Sequence, residues 1–82
     1  MSDVTWFVAL PFADSEEGPV PGEAEECQSS NIAVMRAEAF LRKDGIVGAL
    51  AFSRSGDLSE GRFDEAKLIR AFGQVPDDLA TL

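Results

Sequence analysis

Two hydroxyls, a guanidinium, a glycine and a carboxylate follow one another in Ser53-Arg54-Ser55-Gly56-Asp57, and a second guanidinium, Arg62, comes shortly after. Hydroxyls, guanidinium N–H groups and turn amides are the donors that hold a carboxylate or a phosphate. Ser53, Arg54, Ser55, Asp57 and Arg62 are therefore the candidate ligand-binding residues, for a small anion or a nucleotide. The same residues have a structural reading, and it weighs more: Arg54 and Asp57 pair with each other and pin a turn. The stretch also lacks the glycines followed by Lys-Ser/Thr that cradle phosphates at a helix start.

Little else in the chain is equipped for catalysis. It has no histidine and no tyrosine, which removes the commonest general base and every Ser-His or Cys-His arrangement. Cys27 lies among Glu25, Glu26 and Gln28, whose charge disfavours a thiolate. It reads as a partly buried small residue. The acids Glu23, Glu25 and Glu26 lack the ligand spacing of a calcium loop and read as a solvated edge. No catalytic residue, metal site or cofactor is assigned, and the balance leans away from an enzyme.

Charge narrows the partners. The net charge is −8, and it is unevenly placed. Before Arg36 stand seven acids and no base; from Arg36 onward eight acids face seven bases. Nucleic acids and anionic membranes need a basic surface, so neither is expected as a partner. No apolar run approaches the ~18 residues that span a bilayer, and a signal peptide is not expected, because Pro11 breaks the early apolar run. One cysteine makes no internal disulfide, which fits a reducing compartment, and a cytoplasmic location is expected.

The elements that position these groups centre on residues 29–54. Ser29, Ser30 and Asn31 are all capping types. Behind them a helix is predicted over Ile32 to Lys43, with Ala33, Val34, Ala37, Phe40 and Leu41 on one face and Gly45 as the left-handed stop. Ile32, Met35 and Ala39 fall off that stripe. They either cover a sheet edge or form a contact patch for another chain, and Ile32 and Met35 are named as interface candidates.

Ile46 to Phe52 is apolar on both alternating faces, as is Val4 to Leu10, which is expected to end at Pro11. Both read as interior strands. Residues 13–22, rich in glycine and proline, read as loop. Glu23 to Gln28 reads as a charged edge strand, with a helix as the alternative. Residues 53–62 read as a turn region. Residues 64–71 read as a strand, although the spacing of Phe63, Ala66, Ile69 and Phe72 also suits a helix. Residues 74–82 form a C-terminal tail or a short helical turn.

The run Gly48-Ala49-Leu50-Ala51-Phe52-Ser53-Arg54-Ser55-Gly56-Asp57, with Gly61-x-Phe63-Asp64 and Phe72-Gly73-x-Val75-Pro76, resembles a group of short uncharacterised bacterial proteins. Leu10-Pro11-Phe12 and Glu26-Cys27-Gln28-Ser29 extend the likeness. The resemblance implies a strand rather than a helix near residues 63–72, and it implies no activity and no site residue.

At 82 residues the chain is read as one α+β domain, 1–82. The elements run ββαββ in a small antiparallel sheet of order 2-1-3-4, with one main helix on one face. Phe7 and Ala9 are expected on the uncovered face, so Phe7 joins the interface candidates. The function expected is a small, acidic, non-enzymatic protein-interaction domain that associates with itself, with anion or nucleotide binding as the alternative.

Overall fold

The computed structural model of the chain describes residues 3–75; the tail beyond Val75 lies outside the described residues, and with it the expected helical turn. Two long strands form the centre: β1 (Val4–Ala13) and β4 (Ile46–Asp57). They pair antiparallel from Val4 opposite Gly56 to Ala13 opposite Ile46. On the outer side of β1 lie two short strands, β2 (Val20–Pro21) and β3 (Glu25–Cys27). On the outer side of β4 lie β5 (Arg62–Phe63) and β6 (Lys67–Gly73). With each short pair taken as one interrupted edge, the order is the expected 2-1-3-4, a small α+β fold.

β1 runs on past Pro11, where it was expected to stop. Pro11 has no N–H to donate, and its carbonyl accepts from Gly22 N–H at 2.8 Å on the outer side. A residue's N–H and C=O point the same way from a strand, so the missing donor also faces outward. There the edge is broken between β2 and β3. The proline and the gap in the edge are one feature. The loop expected over residues 13–22 accordingly gives up Ala13 to β1 and Val20–Pro21 to β2.

Helix α1 spans Ser30–Phe40, and of the three capping residues Ser29 does the work, its hydroxyl accepting from Ile32 N–H at 3.2 Å. The helix was expected to reach Lys43. Instead Leu41, Arg42 and Lys43 each bond three residues back, the tightening seen at helix ends. Gly45, at φ +84, then turns the chain into β4. This helix is too short to cross a membrane, the described residues holding no span of the required length and hydropathy.

The helix rests on an alanine layer. Ala33 and Ala37 meet Ala9, Ala49 and Ala51, all fully buried, with Phe40 closing one end and Phe7, Cys27, Val34 and Phe72 around the rim. Phe7 and Ala9 therefore lie under the helix, which corrects their expected place on the uncovered face. Small residues on both surfaces let helix and sheet approach closely, and that favours this face over the bulkier one. Leu10, Phe12, Leu50 and Phe52 make a second buried cluster on the opposite side, with Val8, Ala66 and Val75 against it.

Candidate functional site

The polar run Ser53–Asp57 is the last third of β4 and not the expected turn, because Val4–Phe7 of β1 pair with it throughout. The reversal comes later, over residues 58–61. Alternation along a strand then separates the candidate ligand residues. Ser53 and Ser55 lie on the helix side with Phe7 and Thr5, and Arg54 lies on the other side with Trp6. Arg54 and Asp57 do not meet to pin a turn. Arg54 Nε donates to the Asp64 carbonyl at 3.3 Å, and Asp57 is engaged within its own turn.

That engagement is specific. One Asp57 oxygen accepts from the Ser59 hydroxyl at 2.6 Å and from the Ser59 backbone N–H at 3.0 Å, the local side-chain turn that aspartate favours. Asp57 is 4% exposed. The Ser59 hydroxyl, seconded by backbone N–H groups, holds its carboxyl below the usual carboxylate range, while burial works against them. Bonds to the charged form stabilise it, so this contribution is present at neutral pH and disappears as pH falls through the lowered value. Thermal unfolding from pH 7 to pH 2 should show an acid loss for the wild type that is smaller in Asp57→Asn. Equal losses would mean that Asp57 does not participate.

Arg62 sits across the hairpin from Asp57. Its guanidinium donates to Asp3 at 2.8 Å and Asp64 at 3.0 Å, with Glu60 at 3.8 Å. Three carboxylates around one guanidinium leave the group net negative, which repels an added anion. Ser53, Ser55, Asp64, Glu65 and Lys67 line a small recess beside it. Its lining includes two acidic residues and one lysine, and the Ser55 hydroxyl is bonded to that of Thr5 at 2.9 Å. The five candidate residues thus divide between two faces, and Arg62 is already held by acids.

Cys27 packs at the rim of the alanine layer. Burial is the main cause raising its thiol pKa; Arg36 lowers it and Glu25 and Glu26 raise it further. The thiol stays protonated at neutral pH.

The interface candidates also divide. Phe7 is beneath the helix. Ile32 (40% exposed) and Met35 (69% exposed) stand on the outer surface of α1, where Ile32, Met35, Arg36 and Ala39 line a shallow, open depression. A second apolar surface was not singled out from sequence. Val4, Trp6 and Val8 lie on the sheet face away from the helix, where Phe63 packs its ring 6.0 Å from that of Trp6. Phe63 is 54% exposed and Leu68, opposite Phe52, is 48% exposed. The available signal was the alternation of Val4, Trp6, Val8 and Leu10 itself, once the helix is assigned to the other face. Comparison with protein-family models, with curated proteins and with solved structures finds no match for the chain.

Proposed function

We propose that this chain is a small, non-catalytic, acidic protein-interaction domain that associates with itself. The observation that carries this reading is the grouping of large exposed apolar side chains. Val4, Phe63 and Leu68 accompany Trp6 on the sheet, and Ile32 and Met35 stand together on the helix. Single exposed apolar residues are ordinary, whereas groups of them mark contact surfaces. Anion or nucleotide binding by Ser53, Arg54, Ser55, Asp57 and Arg62 stands second, because those side chains diverge and carboxylates surround Arg62.

Each patch groups only a handful of large apolar side chains, against the roughly 20–30 residues a side of a standard interface. A homodimer in the micromolar range or weaker is expected, as affinity follows the quality of a few anchors. Light scattering after size exclusion, from micromolar to millimolar protein, should show the mass rising towards twice 8.8 kDa. A constant monomer mass throughout that range would overturn the reading.

A further inference from the structure

Resting on that reading of self-association, we infer that two copies join along one side of the molecule, the outer flank of α1 in each copy lying against the acidic edge at β2 and β3 of the other. The sheet face opposite the helix is the poorer choice, because Leu10, Phe12, Leu50 and Phe52 there are buried within the single chain.

Acids outnumber bases by 15 to 7 in this sequence, and Arg62 alone gathers three carboxylates. The cations of the helix gather none. Among the described residues, Arg36, Arg42 and Lys43 make no ion pair. All three are exposed, with one carboxylate, Glu38, among them, and Lys43 lies over the Phe40 ring at 5.5 Å. The outer surface of α1 is therefore a basic area on an acidic chain. Ile32 and Met35 stand exposed in it, and with Arg36 and Ala39 they line the depression described above. An apolar depression beside unpaired cations fits a surface of opposite charge.

The chain carries such a surface alongside. Glu23 and Glu25 are exposed and make no ion pair either. They share a hollow with Lys43 and Phe40, closed by Pro11, Gly22 and Ile46. Farther along, Cys27 of β3 packs against the alanine layer beneath α1. A basic wall and an acidic wall thus run side by side along one groove. A two-fold axis lying along that groove exchanges the walls, so that Lys43 of each copy comes level with Glu23 and Glu25 of the other. Both contacts form at once, and the pair closes on itself as isologous contacts do. Packed helix on helix, the copies would instead set like cations together, which is costly.

The test is sedimentation equilibrium on the full chain and four variants, with circular dichroism to confirm folding. Lys43→Glu and Glu25→Lys should each raise the dimer dissociation constant about tenfold or more, because each sets like charges together in both contacts. An equimolar mixture of those two variants should dimerise as the wild type does, since both contacts then join unlike charges. Met35→Glu should also weaken the dimer, and Phe63→Glu, on the sheet, should leave it unchanged. A dimer indifferent to Lys43→Glu, Glu25→Lys and Met35→Glu overturns this surface while self-association stands. A mixture that associates no more tightly than its components overturns the two-fold exchange of walls. A full chain that stays monomeric removes self-association, and this inference with it.

Discussion

Leu50→Ala should destabilise the domain by about 2–5 kcal/mol, the range for deleting a fully buried leucine. Leu50 is 0% exposed and is the largest of the fully buried side chains. It sits near the middle of β4, opposite Leu10 on β1 and Ala71 on β6. With Leu10, Phe12 and Phe52 it forms the cluster on the side away from the helix. A central strand flanked by two paired strands has little freedom to collapse into a cavity, so the loss should fall in the upper part of that range. Domains of this size have about 5–15 kcal/mol in all, and about 1 kcal/mol shifts the melting temperature by about 4–8 °C. Chemical denaturation with unchanged slope and a much lower midpoint is the expected result. A loss below about 1 kcal/mol would show that the cluster is loosely packed.

Gly48→Ala should be comparably damaging for the opposite reason. A Cβ at position 48 would run into the backbone carbonyl of Gln74, with the carbon and nitrogen of the same residue close behind. Gln74 is not free to retreat, because its N–H donates to the Val47 carbonyl at 2.8 Å. Its neighbour Gly73 turns at φ +65, itself close against Val47 and Gly48. Backbone meeting backbone cannot be relieved by a rotamer change, so the end of β6 must detach or β4 must bend. Overpacking costs about 1–3 kcal/mol where neighbours can adjust, and the upper end or more is expected here. Hydrogen exchange should show protection lost in β6 first and retained in β1. Uniform loss across both strands would argue that β6 does not open separately.

The class and strand order were legible because two apolar runs and a capped helix leave few arrangements for so short a chain. Three features were not, each for a physical reason. Pro11 reads as a stop for a central strand, and only the break between β2 and β3 makes room for it. Ser53–Asp57 reads as a turn by composition, yet strand pairing with Val4–Phe7 is backbone chemistry and accepts polar side chains beyond the reach of the helix. The choice of covered face was open because both faces of β1 and β4 are apolar. Size was the discriminating signal: Ala33 and Ala37 matched Ala9, Ala49 and Ala51, leaving Leu10, Phe12, Leu50 and Phe52 to the other side. That choice moved Phe7 beneath the helix and brought Trp6, Phe63 and Leu68 forward in its place. In the candidate ligand cluster the residue types were legible, whereas their divergence follows from one fact, that the stretch is extended.

The pairing of β1 with β4 has a kinetic consequence. Its partners are separated by more than thirty residues along the chain at every position, from Ala13 with Ile46 to Val4 with Gly56. The entropy of closing so wide a loop must be met before any rung of that ladder forms. An isolated helix of eleven residues is marginal in water, and a lone β4–β6 hairpin fares little better. Neither half can wait, folded, for the other. The protein should therefore assemble in one slow, all-or-none event limited by the meeting of its first strand with its fourth.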